Sequence, residues 1–133
     1  MGDFALKNPN ITRQIVIQGH EVACHTQTHK SLWNSNKSQT KKEILSCKKS
    51  IKNITNTTPT GFRAPWRLIT KKATNILSEE NFTYDASLFK PVPNIYNLKQ
   101  IKTSTWSGLP LDDYIMLHFF KFKPETYITL SKN

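Results

Sequence analysis

The chain has 133 residues, a net charge of +10, a pI near 9.8, 37% hydrophobic residues and 21% charged ones. That length suits one domain, the apolar content argues against disorder, and no apolar run approaches the roughly 18–20 residues of a membrane span. The positive balance would attract polyanions, but the lysines scatter instead of gathering on one face, so a nucleic-acid partner is not expected. Cys24 and Cys47 are too few for a disulfide framework and too far apart for a CxxC site, so they are expected as small buried hydrophobes. The opening "MGDFALKNPN" lacks the basic head and apolar run of a signal peptide, so the chain as written is expected in the cytoplasm.

In chain order, "KNPNITRQIVIQG" predicts a helix capped by Asn8, with Pro9 at its first position, Ile11, Ile15 and Val16 on one face, and Gly19 as its stop. "HEVACHT" predicts a strand, with Val22 and Cys24 on one side and Ala23 and His25 on the other. "SQTKKEILSCKKSIKNIT" is the clearest helix. Thr40 and Glu43 would form its capping box, and Ile44, Cys47, Ile51 and Ile54 would form its apolar stripe. A short strand, "GFRAPW", follows. Next comes a helix, "TKKATNILSEEN", capped by Thr70 with Ala73, Ile76 and Leu77 inward, then a strand, "FTYDASLF". Residues 90–113 are expected as a Pro-rich loop, and residues 114–130 as an aromatic tail of strand or helix.

Alternating helices and strands with short connections define an α/β chain with parallel strands, whose chemistry belongs at the strands' C-terminal ends. His25, Arg63 and Asp85 fall at those ends. His25 and His29 are spaced to meet one metal ion, since neutral imidazole binds Zn²⁺ at about 2.0–2.1 Å. By itself the pair is equally compatible with two polar loop residues. Arg63 suits bidentate contact with a carboxylate, or it is a surface arginine at a loop mouth. Trp66 and Trp106 are candidates for lining a ligand groove or for core positions. His20 would orient its neighbours, and Asp85 would contact substrate or cap the following loop.

The sequence "GHEVACHTQTH", the helix after it, "GFRAPW" and "YDASL" together resemble the polysaccharide deacetylases, the NodB-homology group of carbohydrate esterase family 4. In that family a His-Ser/Thr-x-x-His motif supplies two metal ligands, and His25-Thr26-Gln27-Thr28-His29 matches it. An Arg-x-Pro-Tyr/Trp-type motif follows, matched by Arg63-Ala64-Pro65-Trp66. Trp106 in "TSTWSGLPLDD" resembles the next motif, and His118 in "IMLHFF" resembles a closing Leu-x-His motif whose histidine is a general acid.

The resemblance implies a partial, distorted (β/α) barrel of the NodB-homology type. Residues 1–133 would be a single incomplete domain, with 90–133 as its loosely assigned loop and tail. It also implies a hydrolase that removes N-acetyl or O-acetyl groups from a polysaccharide, chitin-like or peptidoglycan-like, with a divalent metal, Zn²⁺ by preference. The metal's chemistry would be to activate water and polarise the carbonyl.

The implied site has His25 and His29 on the metal, Arg63 and His118 in catalysis, and Trp66, Trp106 and Asp85 near substrate. Family members begin with a strand carrying Thr-Phe-Asp-Asp, and no such stretch precedes His20; Asp3 stands alone in "MGDF". Asp112 and Asp113 form an acidic pair of the kind usually found in solvated turns. The chain is therefore expected to be an N-terminally truncated member lacking its first strands. Two other readings are an inactive remnant that binds glycans and a basic nucleic-acid-binding protein.

Overall fold

The computed structural model describes residues 1–87 and 98–101, together with the backbone of 105–106 and 109–110. Helices α1 (Gly2–Lys7) and α2 (Pro9–Ile17) lead to a long α3 (Lys37–Thr55). Strand β1 (Gly61–Phe62), a 3₁₀ turn at Pro65–Arg67, α4 (Lys71–Glu79), β2 (Tyr84–Asp85) and β3 (Lys99–Gln100) follow. Two further strands, β4 (Thr105–Trp106) and β5 (Leu109–Pro110), pair antiparallel.

The three strands β1, β2 and β3 form a parallel sheet in that order, with Gly61 opposite Tyr84 and Tyr84 opposite Lys99. Cys24 extends it beyond β1 through a parallel bridge to Phe62, made by Cys24 N donating to Gly61 O and Arg63 N to Cys24 O. The expected strand over residues 20–26 is thus reduced to this one bridge among the described residues. The α/β reading with parallel strands holds.

Helix α3 packs against α1, α2 and α4. Its stripe behaves as the 3.6-residue period demands: Ile44, Cys47 and Ile51 are buried and Ile54 packs at the margin. They meet Ala73, Ile76 and Leu77 of α4 and, from the sheet side, Phe62, Ala64, Phe82 and Leu98. The Phe62 and Phe82 rings meet edge to face at 6.1 Å, a favoured aromatic geometry. The Lys48 ammonium lies 4.4 Å above Phe82 and donates to Glu80 O, tying α3 to the end of α4.

Both cysteines are free and buried, as expected. The Cys24 thiol is pushed up by its hydrogen bond to Cys47 and by burial, so it stays protonated.

Several local expectations are corrected. The capping box of α3 is formed by Asn36 and Gln39, not Thr40 and Glu43. The helix starts one turn earlier, Thr40 is buried within it, and Glu43 turns to the loop described below. Before α2, Asn8 donates its side-chain amide back to Phe4 O instead of capping, because α1 occupies that side. On α2 it is Thr12 that is buried while Ile11 is exposed, since the helix docks on α3 by the face bearing Thr12. Gly19 does stop the helix: at φ +83° it allows His20 N to reach Ile15 O and Gly19 N to reach Val16 O. Residues 90–113, expected to be loop, contain β3, β4 and β5. The strand expected over 82–89 is regular at Tyr84–Asp85. The tail from residue 114 lies outside the described residues.

Candidate metal and substrate site

The sheet brings its chemistry to one end. His25 follows Cys24, Arg63 follows β1, and Ala86 and Ser87 follow β2. All lie at C-terminal ends of neighbouring parallel strands, where open α/β sheets place their ligands.

His25 is half-buried, and its Nδ1 lies 2.8 Å from Arg63 O. A carbonyl oxygen only accepts, so Nδ1 carries the proton and the lone pair of the neutral ring sits on Nε2. Such a backbone contact is how ligating histidines are commonly oriented. Burial holds His25 below the ordinary imidazole pKa, which favours the neutral, ligating form. The His29 ring centroid lies 4.9 Å from that of His25, at an interplanar angle of 58°. The two rings are close enough to share an ion, and together they provide two nitrogen donors. Among the described residues, no group of three or more His, Cys, Asp or Glu side chains is gathered to hold a metal.

The loop carrying the histidines is anchored residue by residue. Glu43 of α3 accepts from Gln27 N at 3.0 Å and Thr28 N at 2.9 Å through one oxygen, and from Thr28 Oγ1 at 2.9 Å through the other. Gln27 donates its amide to Asp3 and accepts from Ser50 Oγ, while Gly2 N donates to Thr26 O. A Cβ on Gly2 would stand 1.9 Å from Gln27 Oε1, so any larger residue there would displace the Gln27 amide from its contacts with Asp3 and Ser50.

Arg63 is exposed, and its Nε donates to Ala86 O at 3.0 Å, which joins the ends of β1 and β2. Trp66 is 68% exposed. Its ring meets His29 edge-on at 5.6 Å, which places it beside the histidine pair and not in the core. Asp85 is fully buried, accepts from Ser87 Oγ, and is held above its ordinary pKa by burial, against the opposing hydrogen bond from Ser87. Ser87 Oγ in turn accepts from Ala64 N at 2.8 Å, so Asp85 braces the "RAPW" turn from beneath. Trp106 lies in β4, and His118, Asp112 and Asp113 lie outside the described residues.

A cavity of about 330 Å³ opens beside His25, lined also by Ala23, Arg63, Tyr84 and Ala86, and its size falls in the usual ligand range of about 300–1,000 Å³. Tyr84 was not singled out from sequence, although it heads the quoted "YDASL". Its phenol is pushed up to about 12 by burial and by its hydrogen bond with Glu21, so it remains a neutral donor.

A histidine pair, an arginine and an exposed tryptophan thus stand together at the C-terminal end of a parallel sheet on a (β/α) framework. A family model for polysaccharide deacetylase matches residues 1–84, and the chain belongs to that family. It is 33% identical over 76 residues to a peptidoglycan deacetylase of Helicobacter pylori, covering 57% of this chain and 26% of that protein. It is 31% identical over 72 residues to a chitooligosaccharide deacetylase of Bradyrhizobium, covering 53% of this chain and 33% of that one. A family 4 carbohydrate esterase from Streptomyces lividans, solved with acetate, superposes with a TM-score of 0.61 at 26% identity, over 65% of this chain and 44% of that one. The chain thus spans about a quarter to a third of these curated relatives' length, and its fold is part of the family's (β/α) barrel.

Proposed function

We propose that the chain is part of a metal-dependent deacetylase that removes N-acetyl or O-acetyl groups from a polysaccharide of chitin-like or peptidoglycan-like chemistry. The observation that carries this reading is the His25–His29 pair. The rings lie 4.9 Å apart at the strand ends, and Arg63 O fixes the His25 tautomer so that Nε2 bears the lone pair. His25 and His29 would hold a divalent ion, Zn²⁺ by preference, whose chemistry is to lower the pKa of water and polarise the acetyl carbonyl.

The chain's own residues do the positioning. Arg63 keeps the two strand ends together and presents its guanidinium at the mouth of the cavity beside His25. Trp66, edge-on to His29, offers an aromatic face to a sugar ring. Tyr84 supplies a neutral hydroxyl to the same cavity.

The test measures metal and product together. Equilibrium dialysis should find Zn²⁺ bound, and N-acetylglucosamine oligomers should release acetate. His25→Ala and His29→Ala should each lower metal affinity by more than the roughly 10–100-fold typical of losing an outer-shell partner, and abolish acetate release. Zn²⁺ binding that survives both substitutions would refute the assignment.

A further inference from the structure

The register of the sheet sorts the residues around His25 into rows. Cys24 lies opposite Phe62, Gly61 opposite Tyr84, and Phe62 opposite Asp85. Side chains alternate along a strand, so the fully buried Cys24, Phe62 and Asp85 point to one face and their neighbours to the other. On that second face His25, Arg63 and Ala86 form an upper row at the strand ends. Ala23, Gly61 and Tyr84 form the row beneath it.

The lower row is unequal. Ala23 and Gly61 carry almost no side chain, and Tyr84 fills the space they leave. A Cβ on Gly61 would stand 2.1 Å from both Cζ and Oη of Tyr84, so the far end of the phenol ring lies over β1. The hydroxyl meets the Glu21 carboxylate, on the chain leading to Cys24. Tyr84 thus crosses the neighbouring strand and is held at both ends, by its own backbone in β2 and by Glu21. The cavity of about 330 Å³ beside His25 comes down onto this ring, with the methyl groups of Ala23 and Ala86 as walls and Arg63 at its mouth.

We infer that Tyr84 is the floor of an acyl pocket and the residue that sets the longest acyl chain the site admits. The alanine walls and the ring suit an alkyl tail, and they are too short or too firmly held to move out of its way. A polar head would stay at the mouth, where the Arg63 guanidinium can meet a carboxylate or carbonyl oxygen. The choice of an acyl ligand rests on the deacetylase reading; the position of the floor rests on the register and the close approach at Gly61.

The test reads binding, not acetate release, so that it separates from the metal-site assignment. Straight-chain carboxylates from acetate to octanoate are titrated into the whole chain by calorimetry, with and without Zn²⁺. Affinity should climb roughly three- to fourfold per methylene while the tail fills the cavity, then level off where the tail meets the ring. Tyr84→Ala should move that break to longer chains, and the longest probe should gain roughly tenfold, the effect of about two more buried methylenes. Tyr84→Phe keeps the ring and should leave the break in place. Gly61→Ala lifts the ring off β1 into the cavity and should move the break to shorter chains, which keeps the inference testable if Tyr84→Ala does not fold. His25→Ala should remove any effect of Zn²⁺ on binding and leave the break unmoved, so failure of the metal site stays distinct from failure of the floor. Affinity that climbs across the whole series, a break that neither Tyr84→Ala nor Gly61→Ala moves, or binding of no probe would each overturn the inference.

Discussion

Among the described residues, six non-glycine positions have positive φ, and they divide by region. In the helix layer, Asn56 caps α3 and Asn81 follows α4, the residue type that tolerates left-handed backbone with least strain. At the strand ends the same conformation is taken by His29 and is imposed on Thr26, Trp66 and Arg67, residue types that rarely adopt it. The helix layer uses the residues its geometry asks for. The strand-end loops hold unfavourable backbone in place, which persists only where surroundings over-determine it. Thr26 is fully buried, and the hydrogen bonds of Glu43 and Gln27 fix its neighbours. The contrast marks one region as the source of stability and the other as the place where stability is given up for a fixed arrangement of His29 and Trp66.

Substitutions can break or sharpen that contrast. The largest effect should come from the packed layer: Phe62→Ala removes a fully buried ring and should cost roughly 3–5 kcal/mol in denaturant unfolding. Next, Glu43→Ala removes the anchor of the histidine loop and should cost about 2 kcal/mol. Unlike Phe62→Ala, it should weaken Zn²⁺ binding even where the chain remains folded; unchanged metal affinity would mean the loop holds its shape without Glu43. Gly19→Ala meets no neighbour within 4 Å, so only the strain of φ +83° remains, a loss of about 1 kcal/mol with no effect on metal.

The last prediction concerns a slope. Burial raises the Asp85 carboxyl in the folded state, so the stability contributed by its neutral form is complete below the ordinary carboxylate pKa and lost as pH rises through the folded value. Asp85→Asn keeps an acceptor for Ser87 and should flatten the fall in melting temperature over that window; parallel wild-type and variant curves would contradict it.

The helix layer was legible in the sequence because a 3.6-residue apolar period survives single-residue errors. Ile44, Cys47 and Ile51 were identified as core although the cap was placed at Thr40 instead of Asn36. A Ser, Thr or Asn before a helix each has the chemistry to cap it, and only the backbone decides which one does. Ile11 misled because α2 is apolar on more than one face, and docking on α3 chose the face of Thr12. The strands were overextended: parallel strands buried on both sides read as plain apolar runs, which do not show where pairing stops.

At the site, the order of "HTQTH", "RAPW" and "YDASL" carried the family assignment. The support of the Trp66 turn by Ser87, the anchoring of the loop by Glu43 and the contact of His25 with Arg63 O leave no periodic trace, since they join residues 15 to 38 positions apart.

The spacer between the two histidines has a consequence for anyone who would alter it. In the family motif Gln27 and Thr28 stand at unspecified positions, yet in this chain Gln27 is a junction of α1, the loop and α3, through Asp3 and Ser50, and Thr28 is fastened to Glu43 twice, with a third bond from Gln27 N. Randomising those two positions while keeping both histidines should therefore yield few functional clones. Those that survive should carry matching changes at Asp3, Ser50 or Glu43, so that the motif evolves as a circuit of distant partners and not as a string of five letters.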